Sequence, residues 1–265
     1  MEEESRPARR KAPRYRRVAA WALAFCLGWT LYLTGLFWVD VYALRKGSFS
    51  IKRLSADRKK ELQIPVGPKT KNWVPLSKVS RYAKEAVLAA EDDAFYEHSG
   101  FHWTALRKAL WENIKRGKVI RGGSTITQQL SKNLFFSLER SYARKGSEAY
   151  LALWLELVFT KDELFELYLN AVEFGPDLYG IGPAAKYYFG RKASALSIEQ
   201  SAFLATLLPA PKRYHRFAVQ GLDKGARRRY QRVLEGMRQR KAISWDEYGR
   251  AIDAPVGFRP GIGKK

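Results

Sequence analysis

Between Val18 and Val39 the chain runs for twenty-two residues, VAAWALAFCLGWTLYLTGLFWV, without a charge. At about 1.5 Å per residue a helix of that length reaches roughly 33 Å, enough to cross a hydrocarbon core of about 30 Å. Trp21 and Trp38 stand where the interfacial aromatic belts fall. The preceding RPARRKAPRYRR carries seven basic residues between Arg6 and Arg17, a bias that holds the N-terminus in the cytoplasm and exports the chain beyond Val39. Arg45, Lys46, Lys52 and Arg53 beyond the run work against that bias. A cleaved signal peptide would have a shorter apolar run and then a small-x-small site. A lipoprotein site at LAFC would need a smaller residue than Phe25 before Cys26. The expectation is a basic tail over 1–17 and a retained single span over 18–39.

The polar, basic stretch 40–72, with Gly47, Pro65, Gly67 and Pro68, reads as a stalk. From residue 73 to 265 the pattern is helical. SRYAKEAVLAAEDDAFYEH places Tyr82, Ala86, Val87 and Ala90 on one stripe. Thr160 with Glu163 and Ser197 with Gln200 are capping boxes that open two more helices, the second stopped by Pro209. No run of alternating strands and no internal repeat occurs, so an all-α domain is expected. The apolar stretches GFHWTALRKALW and NLFFSL read as core, with a surface dipping into the bilayer as the alternative. The chain has 48 Lys+Arg against 26 Asp+Glu, a net charge of +22, which implies anionic partners. The basic ARRRYQRVLEGMRQRK reads as a solvated amphipathic helix near an anionic surface, because an exported domain does not meet nucleic acid. Cys26 stands alone, so no intramolecular disulfide forms.

Against this positive background Glu91, Asp92, Asp93 and Glu97 crowd beside His98. Downstream, GGSTITQQLSKN joins two glycines to small hydroxyls, amides and a lysine, a composition suited to close backbone approach by a polar ligand. It lacks the order of a nucleotide P-loop. ERSYARKGSE then sets Arg140, Arg144 and Lys145 ahead of Glu148. Taken singly, each stretch has a plain structural explanation: a solvated helix carboxylate, a polar loop, an i, i+4 ion pair between Arg144 and Glu148, a hydrogen-bonded histidine. No HExxH, CxxC or paired-His metal pattern is present.

Taken together and in order, EDxxFxxHxG, GGSTITQQxxKNL, RKGxE and ELYLNxxEFG resemble the peptidoglycan glycosyltransferase family. These are the chain-polymerising domains of bifunctional penicillin-binding proteins and their monofunctional relatives. The resemblance covers roughly Trp73 to Tyr214 and includes AAKYYFGR and LLPAPKRY; the WVPLSKVS lead-in and Gly146 look like the monofunctional branch. No S-x-x-K or K-T-G occurs, so no penicillin-reactive domain is expected.

The resemblance implies a mainly helical, lysozyme-like fold and a substrate, lipid II, whose MurNAc C1 is joined to the 4-hydroxyl of an incoming GlcNAc. Glu91 matches the family's catalytic base. Attack opposite a pyrophosphate leaving group would invert the anomeric centre and give a β-1,4 link. Asp92, Asp93 and partial burial would raise the Glu91 pKa, while nearby Lys and Arg would lower it. Lys132, Arg140 and Arg144 are the implied pyrophosphate clamps. Lys108 lies where relatives carry a basic substrate contact. Ser124, Thr125, Gln128 and Gln129 are expected to hydrogen-bond sugar and phosphate. Glu148 matches the second essential glutamate, and would hold a divalent cation or orient Arg144. Glu166, Tyr168 and Asn170 read as helix packing and buried hydrogen bonds.

No organic cofactor is expected; Mg²⁺ or Mn²⁺ on the pyrophosphate is compatible with the resemblance. The implied partners are lipid II, the growing glycan strand, the lipid bilayer and other cell-wall synthesis and division proteins. The implied location is the bacterial inner membrane, single-pass, with the catalytic domain on the periplasmic face. Ser147 and His102 depart from the family pattern, which usually has a basic residue and an Asp there. The rival readings are a lysozyme-like glycan-cleaving enzyme and an inactive membrane scaffold.

Overall fold

The computed structural model describes residues 14–47, 49–117, 123–136 and 142–262, with the Arg144 side chain outside that description. It divides into two units, Met1–Val41 and Tyr42–Lys265. Helix α1, Arg14–Arg45, carries the apolar run. Its Val18–Arg45 portion has a mean hydropathy of 1.6 and is, among the described residues, the one helix long and apolar enough to cross a membrane. Thr30 and Thr34 donate their hydroxyls back to the carbonyls of Cys26 and Thr30 at 2.8 Å, so these polar side chains are satisfied within the helix, as a bilayer interior requires.

The stretch read as a stalk contains a hairpin. β1, Phe49–Leu54, pairs antiparallel with β2, Glu61–Val66, with Ile51 opposite Ile64. Phe49 and Ile51 are buried and alternate with exposed Ser50 and Lys52, a period of two too short and too basic to stand out in the sequence. From β1, Arg53 donates to the carbonyls of Phe136 at 2.8 Å and Asn133 at 2.5 Å. Those carbonyls stand at the end of α4, Ile126–Phe135, where a cation is favoured.

The centre of the second unit is α8, Ile198–Leu207, in which every residue from Gln200 to Leu207 is buried. Its Ser197 capping box forms as the sequence predicts. α2, Arg81–Glu91, lies on α8, and α11, Lys224–Gln239, packs on both. The α2 core face is Ala83, Ala86, Val87 and Leu88; Ala90, placed on the apolar stripe from sequence, is exposed. Thus the basic C-terminal helix is not merely solvated: Ala226, Tyr230, Val233, Leu234 and Met237 bury one side of it.

A second layer sets α4 against α5, Tyr142–Val158, and α6, Lys161–Ala171. Thr160 caps α6 as expected. The α6 residues Glu166 and Asn170 hold the irregular lead-in segment. Glu166 accepts from Trp73 Nε1 at 2.8 Å and the Leu76 amide at 2.6 Å, and Asn170 exchanges hydrogen bonds with the Val74 backbone at 2.8 and 2.9 Å. The packing reading of ELYLN therefore holds for these two residues. A short ladder of β3, Glu173–Gly175, and β4, Leu178–Tyr179, comes next, then α7, Ile181–Phe189. The short helices α9, Pro211–Tyr214, and α10, Phe217–Gln220, lead to α11, and α12, Trp245–Asp253, packs against it. α3, Trp103–Arg116, corrects part of one expectation: Trp103 and Trp111 are each at least 69% exposed, so the tryptophans of GFHWTALRKALW are not core, whereas its Ala109 is buried.

Gly236 fixes how closely α11 approaches α2, since a Cβ there would lie 2.9 Å from the Ala89 Cβ. Gly236→Val should cost about 1–3 kcal/mol by overpacking. Gly249→Ala, on an exposed face of α12 with nothing within 4 Å, should instead gain up to about 1 kcal/mol of helix propensity. Thermal unfolding of the full chain in detergent measures both; equal shifts for the two variants would refute the contact.

Candidate active site

The four crowded carboxylates separate in three dimensions. Asp93 and Glu97 are exposed. Asp92 is buried, 6% exposed, at the C-cap of α2. Its Oδ2 accepts from the Ile126 amide at 3.0 Å, and both its oxygens meet His98 Nε2, at 3.0 and 3.1 Å. Asp92 thus supplies an acceptor to the first turn of α4, where amides lack intrahelical partners and negative charge is favoured.

Glu91, one residue earlier, faces a cleft of about 800 Å³. Its walls come from Glu91–Asp93 at the end of α2, His102, Ala105 and Glu112 near α3, Gly123–Thr125 and Gln129 at the start of α4, and Arg229, Arg232 and Val233 on α11. Gln129 Nε2 donates to Glu91 Oε2 at 2.7 Å, and Gln129 Oε1 accepts from the Tyr168 hydroxyl at 3.1 Å. Tyr168 is fully buried on α6, so a rigid side chain orients the amide that orients the carboxylate. Burial pushes the Glu91 pKa from 4.5 up to about 7. The Gln129 hydrogen bond and the charges of Lys132 and Arg229 oppose that rise, and Asp92 adds the smallest increment to it. Desolvation therefore wins over the cations, and neighbouring carboxylates contribute little.

The other candidates divide. Ser124 is exposed on the cleft wall. Thr125 and Gln128 form the capping box of α4 and are buried, with Thr125 Oγ1 donating to the Gly100 carbonyl at 2.7 Å. Those two polar groups cap the helix, and Thr125 also lines the cleft. Lys132 is exposed in the last turn of α4, near enough to act on Glu91 electrostatically. Lys108 lines a separate hollow on α3 with Trp103, Arg107 and Trp111. Glu148 is buried on α5, its Oε2 3.1 Å from Lys145 Nζ and its carbonyl accepting from Ser131 Oγ at 3.0 Å. Among the described residues it does not line the cleft. Arg140 and the Arg144 side chain lie outside the described residues. Sequence reasoning misses Arg229 and Arg232 as cleft residues. Their signal is the helical spacing of ARRRYQRV, which sets them beside the buried stripe of Tyr230 and Val233 rather than opposite it.

The transglycosylase family model matches residues 59–238, which takes in every element of this cleft. The chain belongs to the transglycosylase family. This family member is 49% identical over 142 residues to a biosynthetic peptidoglycan transglycosylase of Janthinobacterium sp. (strain Marseille), a match that spans 54% of the chain and 62% of that relative. It is 46% identical over 167 residues to a protein of the same name from Herminiimonas arsenicoxydans, covering 63% and 71% of the two chains. A third, from Dechloromonas aromatica (strain RCB), is 41% identical over 205 residues, covering 77% and 84%.

A desolvated, half-buried carboxyl with a raised pKa makes stability depend on pH in a defined direction. Between 4.5 and about 7 the unfolded chain releases the Glu91 proton while the folded chain keeps it. Folding stability from this group is therefore full below 4.5 and lost as pH rises to about 7, by roughly 3 kcal/mol. Glu91→Gln should remove that loss, so the variant should gain stability over the parent at pH 8 but not at pH 4.5. Denaturant midpoints at the two pH values test this, and a pH-independent difference would contradict the burial of the carboxylate.

Proposed function

We propose that this chain polymerises lipid II into β-1,4-linked glycan strands of peptidoglycan, with Glu91 as the base. The observation that carries the reading is a single carboxylate, raised to about 7 by burial and held by the Gln129–Tyr168 pair, in a cleft walled by cations. A carboxylate at 4.5 is a weak base for a sugar alcohol; one near 7 is matched to neutral pH. Glu91 takes the proton of the GlcNAc 4-hydroxyl as that oxygen attacks the MurNAc C1 of the donor. The C1–oxygen bond to the polyprenyl pyrophosphate breaks on the opposite face, so the anomeric centre inverts. Pyrophosphate departs as an anion, and no acid is required once its charge is met. Lys132, with Arg140 and Arg144, supplies that charge, and Arg229 and Arg232 add two cations from the α11 wall. A divalent cation such as Mg²⁺ or Mn²⁺, bound with the donor, would supply further neutralisation of the pyrophosphate. No organic cofactor takes part.

α1 anchors the chain in the bacterial inner membrane with the N-terminus in the cytoplasm, and the cleft works at the periplasmic face. The outward Trp103, Trp111 and Ile114 of α3, among the basic Arg107, Lys108, Lys115 and Arg116, suit contact with the anionic bilayer that holds the lipid substrate. Wall-synthesis and division proteins are the partners expected there.

Incubation of the full chain with lipid II and, separately, with finished peptidoglycan tests the reading. Polymer from the first and no release from the second is expected, with turnover rising as pH passes through about 7. Cleavage of the finished polymer would favour a hydrolase instead. Glu91→Gln should abolish polymerisation with the fold intact; near-normal activity would reject Glu91 as the base. Lys132→Ala should weaken lipid II binding by roughly 1.5–3 kcal/mol, as for a lost charged hydrogen bond, and unchanged affinity would remove Lys132 from the clamp.

A further inference from the structure

Beside Glu91 the fold assembles a second set of donors. Asp92 at the end of α2, His98 in the loop after it and His102 just before α3 each offer one ligand atom, and these atoms lie within 4.8 Å of one another. The His98 side chain is only 8% exposed. Its Nε2 meets the Asp92 carboxylate, and its buried Nδ1 has no hydrogen-bond partner among the described residues. An imidazole presents two polar nitrogens, so burying it with one unmatched leaves lone-pair or donor capacity that the protein itself does not use. The rings of His98 and His102 lie 5.5 Å apart and within 22° of parallel, and Phe95 closes the edge of His98 at 6.4 Å. Asp92 is already oriented by the Ile126 amide, as a metal-binding carboxylate needs to be. Asp92 and His102 line the cleft, which provides an entry path.

We propose that Asp92, His98 and His102 form a binding site for a divalent transition-metal ion of the zinc class, opening on the cleft. Two imidazole nitrogens with one carboxylate oxygen suit Zn²⁺ and its neighbours, whereas Mg²⁺ and Ca²⁺ select oxygen ligands. Three protein ligands leave a coordination position for water or for a group entering from the cleft. The site is separate from any cation carried on a pyrophosphate, and it does not rest on the glycosyl-transfer reading, because binding is measured without substrate.

Titration calorimetry of the tag-free full chain in detergent, stripped of metal with a chelator, tests it. One equivalent of Zn²⁺ should bind, and Mg²⁺ should not compete. His102→Ala and the more conservative His102→Gln, each verified as folded by circular dichroism, should lose affinity by at least the roughly 10–100-fold that removal of an outer partner costs. His215→Ala, which alters the remaining histidine, should bind as the parent does. Co²⁺ should give visible absorption bands in the parent that the His102 variants lack. Unaltered Zn²⁺ binding in both His102 variants, an equal loss in His215→Ala, or no stoichiometric binding to the parent would overturn the proposal.

Discussion

The Asp92 carboxylate is the joint on which the cleft depends. It lies buried where α2 ends, accepts from the first helical amide of α4 and faces His98. The end of α2, the loop after it and the start of α4 meet on one carboxylate. Because Asp92 directly succeeds Glu91, fixing its carboxylate also fixes the backbone that presents Glu91. Gln129, one turn along the same α4, then reaches the Glu91 side chain. Losing the Asp92 charge would leave α4 amides and a histidine without their acceptor inside the protein, a more serious defect than losing an exposed carboxylate.

The cleft sets two electrostatic demands against each other. A base needs its pKa raised, which low water content achieves. A departing diphosphate needs positive charge nearby, which lowers the same pKa. The structure resolves this by distance and burial: the carboxylate is desolvated, while Lys132 and Arg229 act on it only through space. Both cations stand on helices that approach Glu91 from different sides, α4 and α11. The apolar stripe of α11 seats those arginines, and Gly236 lets that helix come close enough for them to reach the cleft.

Much of the helical layout was readable from local chemistry. The capping boxes at Thr160 and Ser197 are satisfied within one turn, so four residues suffice to place them. The hairpin over Phe49–Val66 was not readable, because its buried residues gain their shelter from α4 and α6, elements well downstream. Thr125 and Gln128 show a different ambiguity. Their residue types suit ligand binding and helix capping equally, and only the start of α4 shows that they form a capping box. The exposed tryptophans of α3 mark a third case, since an apolar side chain reads as core until its surroundings are known.

The family motifs, the single long apolar helix and Glu91 as the carboxylate of interest were determined by the sequence alone, because each rests on residue identity and short-range spacing. Tertiary structure decided which of four adjacent acids is structural, that burial rather than repulsion raises Glu91, and that Arg229 and Arg232 stand over the cleft. Those outcomes depend on desolvation and on contacts between segments that range from a few residues to more than a hundred apart. Both are properties of the packed chain, not of any stretch of it.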